Sequence, residues 1–158
     1  MEYVFDKIKV RKSVKSDAEY IATRMRHSDI QEIWASNHVE PLEALRKGME
    51  HSIYCRTIEN GPPIAMFGIC PKDILGNSAT LWMLGTDALN KIKIKFLRHN
   101  KEIINAMLDY YSYLDNYVDV RNQKSIEWLR FLGAKFDEPA PYGVEGKNFQ
   151  HFYFTKDK

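Results

Sequence analysis

The chain has 158 residues, of which 44% are hydrophobic, 28% charged and 13% aromatic, and its formal net charge is +2 at pH 7. That length suits one domain with a full core, and so many aromatic residues argue against wholesale disorder. The small net charge gives no global pull toward nucleic acid or an anionic membrane, and no apolar run approaches the roughly 18 residues that a bilayer span needs.

Met1 to Lys7 has no apolar run of signal-peptide length, which points to the cytoplasm. Ile8 and Val10 alternate with Lys7, Lys9 and Arg11, as in a half-buried strand. Ser16-Asp17-Ala18-Glu19 has the form of a capping box and predicts a helix to about Arg26. Ser28-Asp29-Ile30-Gln31 repeats that signature and predicts a second helix. Pro41 suits a first helical turn, and Leu42, Leu45 and Met49 follow at helical spacing.

Ser52–Ile58 and Ile64–Cys70 flank the turn Glu59-Asn60-Gly61-Pro62-Pro63 and read as an antiparallel hairpin. Pairing Ile58 with Ile64 puts Cys55 opposite Phe67, which disfavours a disulfide between Cys55 and Cys70. The two cysteines form no CxxC, and no histidine has zinc-ligand spacing, so no metal site is expected. Pro71–Ser78 is a loop. Ala79–Leu84 is a near-continuous apolar run, as a central strand buried on both faces requires, and Gly85-Thr86-Asp87 ends it.

Asn90 to about Tyr111 predicts a long helix with Leu97, Ile104, Met107 and Leu108 toward the core. Tyr117–Val120 is a short strand, Asn122–Leu132 a helix that Gly133 ends, and Ala134–Phe136 another strand. Pro139–Lys147 reads as a loop and Phe149–Thr155 as the last strand. The tyrosines at 110, 111, 113 and 117 lack interleaved cations, so they read as packing residues rather than a base-stacking platform. The order is β, α, α, β, β, β, α, β, α, β, β. No internal repeat or linker is visible, so 1–158 reads as a single domain.

That order resembles the fold of the GNAT-type N-acetyltransferases, and three segments support it. Ile8-Lys9-Val10-Arg11 with Ser16-Asp17-Ala18-Glu19 resembles the family's opening strand and helix. Asn60-Gly61-Pro62-Pro63-Ile64-Ala65-Met66-Phe67-Gly68 resembles its second hairpin. Val118-Asp119-Val120-Arg121-Asn122-Gln123-Lys124-Ser125-Ile126, continuing to Gly133, resembles its fifth strand and fourth helix. The resemblance implies an α/β (α+β) fold with a mixed, mostly antiparallel central sheet of about seven strands and flanking helices. More narrowly, Asn116-Tyr117-Val118, Phe131-Leu132-Gly133-Ala134-Lys135-Phe136 and Phe149-Gln150-His151-Phe152, with Leu84-Gly85-Thr86-Asp87, resemble the small internal virion protein family of short-tailed phages. This implies a phage or prophage origin, virion or host proteins as partners, and packaging in the virion as an alternative location.

The GNAT resemblance implies acetyl-CoA as cofactor, held in a wedge between two diverging strands. Leu84, Gly85 and Thr86 would line one side, and Asn122, Ser125 and Trp128 the other. The family's phosphate loop follows a Gln/Arg-x-x-Gly-x-Gly/Ala pattern, where glycines let amides approach the pyrophosphate. The matching stretch, Gly85 to Lys93, has one early glycine and an acidic Asp87. Lys91 and Lys93 could attract phosphate without a shaped cradle, although lysines alternating with Ile92 and Ile94 do not all share one helical face. The family's proton-donating tyrosine falls on Leu129, which cannot donate. Ser125 is a weak substitute, Asp87 is the candidate base, and His38 a candidate substrate contact. Asn122 either contacts the pantetheine arm or caps its helix. These departures favour a virion-associated or binding protein with a degenerate acyl-CoA site over an active enzyme moving an acetyl group to an amine.

Overall fold

The computed structural model describes residues 3–5 and 7–156, with side chains described for all of these except 3, 5 and 93–98. In chain order the elements are β1 (Tyr3–Phe5), β2 (Ile8–Lys12), α1 (Lys15–Ala22), α2 (His27–Asn37), α3 (Pro41–His51), β3 (Tyr54–Glu59), β4 (Pro63–Pro71), β5 (Ser78–Gly85), α4 (Ala88–Tyr110), β6 (Tyr113–Asp119), α5 (Gln123–Phe131), β7 (Lys135–Phe136), β8 (Ala140–Tyr142) and β9 (Lys147–Thr155). The strands form one sheet in the order β1-β2-β3-β4-β5-β6-β9-β7, with β8 also paired to β9. Among the described strands only the β5–β6 pair is parallel, and every other pair is antiparallel. The mixed, mostly antiparallel sheet with flanking helices matches the expectation. The strand count exceeds seven because β1 and β8, of three residues each, form where the sequence carries no alternation long enough to register.

Alternation along β5 divides the core. Leu81 and Met83 point into the cluster beneath α4 and α5, with Ile69, Leu89, Met107, Leu114, Leu129 and Phe152. Trp82 and Leu84 point into the cluster beneath α1 and α3, with Ile21, Met25, Leu45 and Met66. Of the predicted core face of α4, Met107 and Leu108 are buried and Ile104 packs against them. The Leu97 side chain lies outside the described residues.

The start of α1 differs from the Ser16–Glu19 reading. The cap is Val14, and it is Asp17 that reaches back, accepting from Val14 N at 2.9 Å. Asp17 is drawn there because it also takes two 2.8 Å bonds from Arg11 and one from Thr57, which fasten α1 to β2 and β3. In the hairpin, a shift at Ile58/Glu59 moves the register by one. Ile58 pairs with Ala65 and Cys55 with Gly68, and both cysteines are free thiols.

Trp82 is wedged between backbones. A Cβ on Gly48 of α3 would lie 2.7 Å from its ring, and one on Gly68 of β4 would lie 3.0 Å from its Nε1. The Nε1–H donates to Ser52 Oγ at 2.8 Å and fixes the ring in place. Alanine normally stabilises a helix interior relative to glycine by about 1 kcal/mol, but overpacking a fixed ring costs about 1–3 kcal/mol. Gly48→Ala should therefore lower stability by about 1 kcal/mol, against the propensity trend, in a urea unfolding titration.

Candidate functional site

The parallel pairing of β5 with β6 stops early. Ser78, Ala79 and Thr80 pair with Tyr113, Leu114 and Asp115, and beyond them the strands diverge. A cleft of about 690 Å³ passes between them. On one side it is walled by Ile33, Ser36, Lys47 and His51 of α2 and α3. On the other it is walled by Ile103, Ile104, Ser125, Trp128 and Leu129 of α4 and α5.

Separated strands leave ladder groups without partners, and each such group must find another. Two carboxylates one turn apart on α2 supply them on either side of the gap. Asp29 Oδ2 accepts from Gly85 N, at the end of β5, at 2.9 Å. Glu32 Oε1 accepts from Asp119 N, at the end of β6, at 2.7 Å. Where the gap begins, Asn116 Nδ2 donates to Leu81 O at 2.7 Å.

Asp29 is held in turn by Arg26, whose Nε and Nη2 reach its two oxygens at 3.0 and 2.9 Å in a bidentate pair. Arg26 N donates to Gly85 O at 2.8 Å, and Arg26 Nη1 reaches Asn90 Oδ1 at 3.3 Å. Thr86 is equally committed, with both its N–H and its hydroxyl donating to Ile64 O, at 2.8 and 2.9 Å. The amides of Leu89 and Asn90 close a tight first turn of α4 on Thr86 O and Asp87 O.

The predicted site residues separate into groups. Leu84, Ser125 and Trp128 line the cleft. Gly85 and Thr86 sit at its end with their amides taken, and the missing side chain of Gly85 makes room for the protein itself. A Cβ there would lie 2.9 Å from Ala65 Cβ and 3.1 Å from Leu89 Cδ2. Asn122 caps α5, accepting from Ser125 N at 3.3 Å, while its amide donates to Glu32. Asp87 and Lys91 are exposed and are not among the residues lining the cleft. The side chain of Lys93 lies outside the described residues. His38 ends α2 in a left-handed conformation (φ 53°) and pairs with Glu145 at 3.1 Å, outside the cleft lining. Its surroundings account for this: Val144 N and Glu145 N close on Ser36 O and Ala35 O, so the loop after β8 caps α2.

At the β5–α4 turn the amides of Gly85, Thr86, Leu89 and Asn90 are already bonded, to Asp29, Ile64, Thr86 and Asp87, and the carboxylate of Asp29 lies beside the first of them. No group of three or more His, Cys, Asp or Glu that could hold a metal occurs among the described residues. None of the described helices is long and apolar enough to cross a membrane.

Sequence reading missed Asp29 and Glu32 as site residues because it assigned Asp29 to a helix start. The available signal was their spacing of three, which places both on one face of α2. It also missed the ionic cluster on β9. His151 Nε2 meets Asp115 at 2.7 Å, its Nδ1 meets Asp137 at 2.6 Å, and Lys72 meets Asp115 at 2.5 Å. Burial works against a charged imidazole there, but the two carboxylates prevail and hold its pKa above the ordinary value.

A profile of the family described as "Bacteriophage T7, probable scaffold protein Gp13" matches residues 68–139. The probable scaffold protein gp13 of Escherichia phage T7 is 34% identical over 131 residues, covering 79% of this chain and 90% of that protein. Among solved structures, a GNAT-family acetyltransferase from Bacillus anthracis superposes with a TM-score of 0.70 at 10% identity, over 100% of both chains. The acetyltransferase yncA from Salmonella typhimurium, solved with its cofactor acetyl-CoA, also gives 0.70, at 12% identity over 97% of this chain and 96% of that one. The fold is that of the GNAT acetyltransferases.

Burial, together with the nearby Asp29 and Asp119 carboxylates, pushes Glu32 from 4.5 up to about 8, against the pull of its hydrogen bonds from Asp119 N and Asn122. A carboxyl whose folded pKa is raised costs stability as pH climbs from the unfolded value through the folded one, at ~1.4 kcal/mol per pH unit in the steepest part. Stability should therefore fall between about pH 4.5 and 8. Glu32→Gln keeps the acceptor for Asp119 N and should flatten that fall, gaining a few kcal/mol at most at pH 8 and little at pH 5. Thermal unfolding across that range measures the difference.

Proposed function

The chain belongs to the family of the probable scaffold protein gp13 of phage T7, and on that premise we propose that it is a phage binding protein of virion assembly, built on an acetyltransferase fold in which its own side chains take up the amides at both ends of the acyl-CoA slot. One observation carries the second half of the reading. The amide donors at the ends of both diverging strands, Gly85 N and Asp119 N, are bonded to Asp29 and Glu32. A cofactor arm using those donors would have to displace the buried Asp29 on one side and the half-buried Glu32 on the other. Displacing Asp29 would also strand the buried Arg26 guanidinium, and unpairing one partner of a buried ion pair is strongly unfavourable.

The family relationship supports the first half, since fold alone does not fix function. In this role the protein works in the cytoplasm of the infected cell or is carried in the virion, and its partners are other virion components or a host protein. The competing reading is acetyl transfer to an amine. It is favoured by the gap between β5 and β6 and by the acetyl-CoA of the Salmonella structure with the same fold. It is disfavoured by Leu129 at the expected acid position and by the absence of Asp87 from the cleft lining.

Acetyl-CoA titration followed by thermal unfolding separates the two. A ligand at 100 times its Kd adds about 2.7 kcal/mol of stability. The expected result is an unchanged Tm at millimolar acetyl-CoA. A clear rise in Tm would overturn this reading and restore the enzyme reading.

A further inference from the structure

The near-neutral chain divides its charge unevenly. Together α4 and α5 carry seven Lys or Arg against three Asp or Glu, whereas the remainder carries sixteen against eighteen. The five cations of α4 all lie between Lys91 and Lys101, in the half of the helix whose dipole end is already positive.

Both helices press their apolar sides onto one core cluster, with Leu89, Ile92, Ile103 and Met107 from α4 and Ile126 and Leu129 from α5. Their opposite sides therefore form one outer face of the molecule. Lys91, Lys101, Lys124 and Arg130 are exposed on these helices. Lys91 and Lys101 stand about 15 Å apart along the axis of α4. The helices meet where Lys101 Nζ lies 5.6 Å from the centre of the Phe131 ring, next in sequence to Arg130.

No carboxylate among the described residues pairs with any of these four cations. The Lys and Arg that do form ion pairs, namely Arg11, Arg26, Lys47, Lys72, Arg121 and Lys156, all lie off the two helices. Of the three acids on the helices, Asp109 is taken by Lys156, which leaves Glu102 and Glu127. A single exposed lysine needs no partner but water, whereas a whole layer with a surplus of one sign attracts polyanions.

We propose that the outer face of α4 and α5 binds the phosphate backbone of nucleic acid through Lys91, Lys101, Lys124 and Arg130, without reading base sequence. An anionic membrane fits this face less well, because membrane-binding helices set apolar side chains among their cations. The large hydrophobic residues exposed here, among those described, are Tyr110 at the end of α4 and Phe131 beside Lys101. An acidic protein also fits less well. Five of the seven cations are lysines, a residue depleted from protein interfaces. An ammonium group meets phosphate as a point charge, and backbone contacts of that kind carry no sequence information. The binding does not involve the cleft, so its test and the acetyl-CoA titration succeed or fail separately.

Fluorescence anisotropy of a fluorescein-labelled, random-sequence DNA duplex, titrated with the full chain, tests this. Four phosphate contacts predict a roughly hundredfold loss of affinity between about 50 and 200 mM salt. Replacing Lys91, Lys101, Lys124 and Arg130 together by Gln should weaken binding at least tenfold at about 50 mM salt and flatten the log–log salt slope by about 0.9 per contact. The pair Lys124→Gln with Arg130→Gln, made separately, should remove about half of that slope change. Circular dichroism and Tm confirm that the variants are folded. The charge-matched control replaces Lys7, Lys9, Lys12 and Lys15, which are exposed and lie off both helices, by Gln and should bind nearly as wild type does. A wild type that does not bind at the lower salt overturns the proposal. So does a control that loses as much affinity as the helix variant, since binding then follows net charge alone. Poly-L-glutamate that displaces the duplex at equal charge also overturns it, and indicates an acidic protein surface as the partner.

Discussion

The structure depends on how the backbone at the parting of β5 and β6 is satisfied. A sheet that opens in its middle leaves amide and carbonyl groups that water, a ligand or the protein must meet, and leaving them buried and unpaired is costly. In this chain the protein meets those at the start and the ends of the opening. Asp29 and Glu32 project from one face of α2 to opposite sides of the gap, and Asn116 bridges its start. Arg26 balances Asp29 and ties the start of α2 to Gly85. The gap stays open as a cleft, while the backbone groups at its ends are already bonded.

This separates two things that the fold would otherwise run together. Overall shape and strand order place the chain with acetyltransferases of very low sequence identity, while its sequence relative is a phage protein described as a probable scaffold. At the edge of the gap in this chain, a carboxylate from α2 stands beside the β5–α4 turn. A Cβ on Gly85 would strike Ala65 and Leu89, so even the glycine that suggests a cofactor loop is explained by strand and helix packing.

Much of the fold was legible in the sequence, because the signals there are local. The apolar run of β5, the Asn122 cap and Gly133 stop of α5, and the helical spacing of α3 are each decided within a few residues. β6 began earlier than predicted, at Tyr113 rather than Tyr117, since Asp115 looks like a surface residue until His151 and Lys72 are brought beside it. The expectations for Asp87 and His38 followed from where the expected fold would put them, at the end of the central strand and between the N-terminal helices, and the structure places both outside the cleft lining. Asp29 and Glu32 could not be singled out by spacing alone, because their partners lie 56 and 87 residues away. Only the closed sheet shows which amides they meet.

The cap that the loop after β8 places on α2 has a consequence for synthesis. Ser36 receives its partner from Val144, and His38 from Glu145, 107 residues later. The C-terminal end of the helix that carries both bridging acids is therefore capped only when nearly the whole polypeptide is available, and contacts so distant form late because chain closure must come first. A chain lacking β8 and β9 would leave β6 without its antiparallel partner and the core without Phe152 and Phe154. The segment from Ala140 onward thus completes two things at once, the sheet beside β6 and the cap on α2.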